Sequence, residues 1–277
     1  MGPGGVRLDV EGAVARVTLC RPERRNAQTP ATWLALASIP EQLGDDVRVV
    51  VVGGEGPSFS AGLDRRMLEP DGVPGEGSLA DLTTRSDADV AVVIASYQAG
   101  FSWLRADRFI SVAAVRGHAV GAGFQLALAC DLRVVADDAM FTMAEPTLGL
   151  VPDLGGTQPL VEAVGYAKAL EICATGRRIG AAEAQRCGLA NIVVTGDALD
   201  DAVDDLVAAL LSTDRDAVRA TKRLLLDGRS RDFEGQLRAE REAQVARLRA
   251  LTGSTGAGAE TAVAAQRGAP AADSGRR

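Results

Sequence analysis

The 277-residue chain has one histidine, His118, and four cysteines. A single imidazole excludes the usual histidine-based metal centres. Cys20, Cys130, Cys173 and Cys187 are scattered, with neither a CxxC pair nor metal-ligand spacing. They read as buried thiols in a reducing compartment. No apolar run reaches the ~18–20 residues of a membrane span. The opening "MGPGGVRLDVEG" lacks the basic-then-apolar order of a secretory signal. A basic excess is missing too: 30 Lys+Arg against 37 Asp+Glu leave a net charge of −7, which argues against a nucleic-acid-binding face. The expectation is a cytoplasmic protein with no nucleic-acid or membrane partner and no metal. A local basic patch remains available in Arg21, Arg24 and Arg25 of "CRPERRNA".

What is present is the composition of an ordinary globular protein, 47% hydrophobic and 24% charged. The length suits one large domain, alone or with a small appendage. "VRLDVEGAVARVTLC" alternates on either side of Glu11-Gly12 and predicts a hairpin. "TPATWLALASIPEQLGDD" has helical spacing, with Thr29 as N-cap, Pro30 at the first helical position and Pro40 as a kink or stop. "VRVVVVGG" and "FISVAAV" are continuous apolar runs, as in strands buried on both faces. "DADVAVVIASYQAGFSWLRA" reads as a helix, and "LALACDLRVVAD" as a helix passing into a strand. Residues 65–87, rich in Gly, Asp and Pro, read as a mobile surface loop. Amphipathic helical segments follow at 197–211, 215–227 and 231–250. Strands alternating with helices, then helices alone, predict an α/β core over 1–195 and a helical part over 196–252. A largely flexible Gly/Ala/Ser-rich tail over 253–277 completes the chain.

Three places could carry chemistry. "PSFSAGLD", residues 57–64, follows a buried strand and would present amides where α/β sheets bind ligands, although a plain loop would look the same. "RGHAVGAGFQ", residues 116–125, is a glycine turn between strand and helix, suited to an anion. Gly121 and Gly123 begin a dinucleotide fingerprint, but Leu126 stands where its third glycine belongs. "FTMAEPTLGLVPDLGGTQ" holds Glu145 and, eight residues on, Asp153. Alone, Glu145 reads as a surface carboxylate and Asp153 as a helix N-cap before they read as reactive groups.

Together these motifs resemble the crotonase superfamily, the enoyl-CoA hydratase/isomerase family. "RPERRNA", "FSAGLD", "GHAVGAGFQLALACDLRV", "AEPTLGLVPDLGGTQPL" and "GLANIVV" occur in family order over roughly residues 6–250. The resemblance implies an α/β spiral of ββα repeats with a C-terminal helical trimerisation part, a homotrimer or a hexamer of paired trimers. It implies an acyl-CoA thioester as substrate and no separate cofactor, since coenzyme A is part of that substrate. By motif, the amides of Leu63 and Ala122 would form an oxyanion hole for the thioester oxygen as it becomes an enolate. Fixed amides stabilise such charge without reorganising, and losing one donor costs about 3–4 kcal/mol. Gly62, Gly121, Ala61 and Asp64 would border the substrate path, and Arg24, Arg25 and Ala27 would lie on the CoA side.

The hydratases of this family use two glutamates, at positions matching Gln125 and Glu145. Gln125 exchanges no proton near neutral pH, though it can hydrogen-bond water or substrate. The retained single glutamate resembles the enoyl-CoA isomerases, in which one base moves a proton between two carbons through an enolate. Asp153 matches a second acid of dienoyl-CoA isomerases and remains equally readable as a helix cap. Hydration with weak or altered water addition, and acyl-CoA binding without catalysis, are the alternatives. His118 reads as lining the pocket or packing, Ser60 has no base partner, and Trp33 and Trp103 read as core or interface.

Overall fold

The structure, a computed structural model, describes residues 2–253. Residues 254–277 of the expected tail lie outside the described residues. The chain divides into two compact units, Met1–Thr213 and the residues from Asp214 onward.

The first unit opens with the expected hairpin, β1 (Val6–Glu11) and β2 (Val14–Leu19), turning at Gly12 with φ 55°. In α1 (Pro30–Ser38) the Thr29 amide donates to Thr32 Oγ1 at 3.2 Å, and Pro30 takes the first helical position, where no N–H is needed. A 3₁₀ turn at Ile39–Gln42 ends the helix at Pro40. β3 (Val49–Gly54) follows. Residues 65–87, expected as a mobile loop, are folded: a 3₁₀ turn at Arg65–Leu68, then α2 (Leu79–Thr83). The Asp81 carboxylate accepts from the Ser78 amide at 2.7 Å, the Ser78 hydroxyl accepts from the Asp81 amide at 3.3 Å, and Met67 and Val73 are buried beneath. These anchors are too widely spaced to give a periodic signal.

Next come α3 (Asp87–Ser102), β4 (Ile110–Val115), β5 (His118–Val120), α4 (Ala122–Ala129), β6 (Leu132–Ala136) and β7 (Met140–Thr142). They lead into α5 (Thr157–Val164), α6 (Tyr166–Thr175), β8 (Ile179–Gly180), α7 (Ala181–Arg186), β9 (Ile192–Val194) and α8 (Leu199–Leu211). One sheet has the order β1-β2-β3-β4-β6-β9, parallel except for β1–β2; the other has the order β5-β7-β8. Successive turns of chain place β4 in the large sheet and β5 in the small one, then β6 and β7 likewise. This is the expected spiral of ββα repeats.

The Val49–Val52 run explains why β3 is apolar throughout. Val50 and Val52 belong to the main core with Phe59, Phe124 and Phe141, whereas Val49 and Val51 pack with Val112, Val134 and α8 residues Leu199 and Val203. Both faces of the strand are therefore dry. This packing also makes α8 part of the core unit, so the unit runs to Thr213 rather than ending at 195 as expected. Of the four cysteines, Cys20 and Cys130 are buried, whereas Cys173 and Cys187 are half-buried, against the expectation for those two.

The second unit contains α9 (Arg215–Asp227), capped by Asp214 Oδ1 at 2.8 Å from the Ala217 amide, and α10 (Phe233–Gly253). Arg247 on α10 reaches back to Asp214 at 2.7 Å, and Gln236 Nε2 donates to the Leu224 carbonyl at 3.3 Å.

Within the core unit, Arg133 on β6 is 7% exposed and donates to the carbonyls of Cys130 at 2.7 Å, Ala127 at 3.3 Å and Leu189 at 2.6 Å. Its guanidinium serves the carbonyl end of α4, where a cation is favoured. Arg133→Met leaves these acceptors without a donor and is expected to lose about 2–4 kcal/mol of stability in urea titration; an unchanged midpoint would contradict this role.

Candidate active site

Two stretches of backbone touch where the motifs predicted the chemistry. Gly62 has φ 80°, and a Cβ there would stand 2.3 Å from the Val120 carbonyl oxygen and 3.4 Å from the Ala122 nitrogen. A Cβ on Gly123 would stand 2.6 Å from the Ser60 carbonyl oxygen. No other residue fits at either position. Parallel bridges fix the directions of the amides. Gln28 donates to the Gly62 carbonyl at 2.7 Å and accepts from the Asp64 amide at 2.8 Å. Leu63, between those partners, therefore turns its own N–H away from Gln28, and its residue lines the cavity. Ala122 opens α4, where the first amides have no partner within the helix. Neither amide makes a hydrogen bond among the described residues.

The loop carrying Leu63 is held by a buried polar network that the sequence reading did not assign. Asn26, with φ 53°, donates through Nδ2 to the carbonyls of Glu55 at 2.9 Å and Ser58 at 2.8 Å. Ser60 Oγ donates to the Asn26 carbonyl at 2.8 Å and accepts from Gln28 Nε2 at 3.0 Å and from the Gly62 amide at 3.1 Å. Gln28 Oε1 accepts from Trp33 Nε1 at 2.8 Å. The polar "RNAQT" run just before α1 was the available signal. Asp64 completes the frame by accepting from Arg66 at 2.7 and 3.0 Å and from Arg21 at 3.2 Å. These bonds, Arg66 foremost, lower the Asp64 pKa to about 2.

Glu145 opens a 3₁₀ turn at Glu145–Leu148, after β7. Its carboxylate lies over Gly121, where a Cβ would be 3.2 Å from Oε1. Oε1 accepts from Gln125 Nε2 at 2.7 Å, while Oε2 is buried without a partner among the described residues. Burial raises the Glu145 pKa above the ordinary carboxylate range, and the charge of Asp153 adds to the rise. Asp153 is itself raised by burial. It is not the cap of a helix, because α5 begins after Gly156. The Leu154 and Gly156 amides donate instead to Gln125 Oε1, at 2.9 and 3.2 Å.

A cavity of about 460 Å³ brings together Ala61, Leu63, Gly121, Ala122, Glu145 and Asp153. Its walls are otherwise mostly apolar, from Trp33, Leu68, Leu82, Ile94, Leu148 and Leu154. The Trp33 and Tyr97 rings pack at 4.8 Å, so Trp33 is both core and wall. Several expected residues lie elsewhere. Gln125 is fully buried behind Glu145, and Asp64 is buried among arginines. Arg24 and Arg25 are exposed in the turn after β2, and Ala27 is half-buried with its carbonyl accepting from Arg21 at 2.9 Å. His118 neither lines the cavity nor packs inside: it is exposed, with Nδ1 3.2 Å from Ser58 Oγ. Its place on β5, with the side chain opposite the buried Ala119, accounts for this.

A profile of the enoyl-CoA hydratase/isomerase family matches residues 9–256. The chain belongs to this family. Among enoyl-CoA hydratase/isomerase relatives, an inferred enoyl-CoA hydratase of Mycobacterium tuberculosis is 35% identical over 196 residues, 70% of each chain. A peroxisomal Delta(3,5)-Delta(2,4)-dienoyl-CoA isomerase of Arabidopsis thaliana is 31% identical over 234 residues, 83% of each chain. The solved structure of an inferred enoyl-CoA hydratase from Thermobifida fusca, in complex with CoA, superposes with a TM-score of 0.86 at 52% identity. It covers 91% of this chain and 95% of that one. An inferred enoyl-CoA hydratase from Thermobifida fusca has also been solved in complex with acetoacetyl-CoA, at 53% identity and a TM-score of 0.85, covering 88% of this chain and 95% of that one. Hydratases and an isomerase both stand among these family members, so the side chains of the site must decide the reaction.

Asp64 provides a stability test that does not depend on the reaction. A carboxylate whose folded pKa is depressed adds stability above its unfolded value, near 4, and loses it as pH falls towards 2. Asp64→Asn should therefore lose up to about 2 kcal/mol at pH 7 and show a flatter loss of stability between pH 4 and 2. Equal acid-unfolding curves for the two proteins would exclude the clamp.

Proposed function

We propose that the protein is an acyl-CoA-transforming enzyme that shifts a double bond in an enoyl-CoA thioester. The observation that carries the reading is the Glu145 carboxylate over Gly121, with its Oε2 shut from solvent, beside a pair of unpaired backbone amides and with a buried amide at the position of the hydratases' other glutamate. The Glu145 carboxylate takes a proton from C2 of a 3-enoyl thioester. The C–H electron pair becomes the C1–C2 double bond, and the carbonyl π pair moves to oxygen, where the Leu63 and Ala122 amides stabilise it. The same proton returns to C4, the carbonyl re-forms, and the double bond stands between C2 and C3. Atoms and charge balance without a second acid or a resident cofactor. The apolar cavity suits the acyl chain, and the exposed Arg24 and Arg25 suit CoA phosphates. The trimer or paired trimers follow from the resemblance, supported by the exposed apolar Tyr166 and Leu170 on α6.

A second reading rests on Asp153, whose half-buried carboxyl lines the same cavity. In a dienoyl-CoA isomerisation one of the two carboxyls would act as base and the other as acid.

The test is turnover of 3-enoyl-, 2-enoyl- and 3,5-dienoyl-CoA. Conversion of the 3-enoyl to the 2-enoyl thioester is expected, with a rate that rises with pH through the raised Glu145 pKa because the base must be ionised. Glu145→Gln should cut turnover at least about a hundredfold while binding persists. Asp153→Asn should spare 3-enoyl conversion; loss confined to dienoyl substrate selects the second reading. Binding of all three thioesters without conversion would make the protein an acyl-CoA binder, and water addition to the 2-enoyl thioester as the main reaction would make it a hydratase.

A further inference from the structure

We infer that Gln125 is a positioning residue: one side-chain amide holds the Glu145 carboxylate through its N–H and the Asp153–Gly156 turn through its carbonyl. The bonds are Nε2 to Glu145 Oε1 at 2.7 Å, Leu154 N to Oε1 at 2.9 Å and Gly156 N to Oε1 at 3.2 Å. The side chain comes from α4, all eight of whose residues are buried, so it is anchored in the core. A Cβ on Gly156 would stand 2.7 Å from Gln125 Cγ, so the turn is shaped around this amide. Both carboxyls that line the cavity thus take their places from the same group.

The donor pattern explains why glutamine stands there. The site needs an acceptor facing two amides and a donor facing a carboxylate. Methionine fills the volume but leaves two buried N–H groups unpaired and removes the donor from Glu145. An ionised glutamate would meet the Glu145 carboxylate with like charge, so the pair must keep one proton between them. A protonated glutamate reproduces the pattern, its C=O accepting and its O–H donating. Restoring a carboxyl at 125 therefore supplies a partner for Glu145 rather than a base for water. The other ionisable groups acting on or sensing Glu145 are Asp153 and, from α6, Cys173.

The kinetic part of this inference rests on Glu145 as the proton carrier; the titration does not. The experiment compares wild type, Gln125→Met and Gln125→Glu by carbon-13 NMR titration of the Glu145 carboxyl, assigned with Glu145→Gln, and by pH profiles of 3-enoyl-CoA turnover. In Gln125→Met the Glu145 midpoint should move to higher pH, with kcat falling about tenfold or more and KM changing much less. Gln125→Glu should keep turnover where the carboxyl pair retains one proton and lose it as that proton leaves, a falling limb absent from wild type. Should Gln125→Met fail to fold, Gln125→Glu carries the test, because its protonated form preserves every bond. An unchanged Glu145 midpoint in folded Gln125→Met would overturn the inference. So would a Gln125→Glu protein with no falling limb and new hydration of 2-enoyl-CoA. A displaced Glu145 midpoint in Gln125→Met, alongside a wild type that turns over no enoyl thioester, would leave the positioning role standing and remove the proposed reaction instead.

Discussion

The site depends on two backbone segments lying closer together than any side chain would allow. Gly62 and Gly123 face the carbonyls of Val120 and Ser60 at distances that exclude a Cβ. Because the segments touch, Leu63 and Ala122, the first residue of α4, line the same cavity. The fold exists around this crossing. One segment leaves β3 in the large sheet, and the other is the end of β5 in the small sheet. The Ser60–Ala119 bridge joins them.

Such a contact gains little from hydrophobic burial, so its geometry must come from hydrogen bonds. Asn26, Gln28 and Ser60 satisfy one another and the loop carbonyls in a region with almost no solvent. Asp64 ties the far end of the loop to Arg21 and Arg66. A fully paired buried network fixes one arrangement, because each broken bond would strand a polar group away from water. The opposite condition holds at Glu145, where Oε2 is left unpaired. An unpaired carboxylate oxygen is costly for stability, and the proposed proton transfer needs one. The bond from Gln125 Nε2 to the other oxygen keeps that cost from scattering the carboxylate among rotamers.

Some of this was legible in the residues. The valine run of β3, the hairpin at Gly12 and the Thr29-Pro30 start of α1 follow from local rules, and the structure has each of them. The motifs placed Leu63, Gly121, Ala122, Glu145 and Asp153 as one set, and one cavity contains them all. Reading residues 65–87 failed because their order comes from capping and from single buried anchors such as Met67 and Val73, which leave no period. Reading α8 as part of the appendage failed because amphipathicity says that a helix covers something, not which sheet.

The sequence by itself carried the family, through motifs in family order, and the alternation of strands and helices, which depends on periodicity and residue type. Tertiary structure alone decided which way each polar side chain points. Asp64 turns to arginines, His118 to solvent, and Gln125 to a carboxylate and two amides across 20 to 31 residues of chain. Hydrogen-bond direction depends on partners brought together by folding, and no local pattern encodes it.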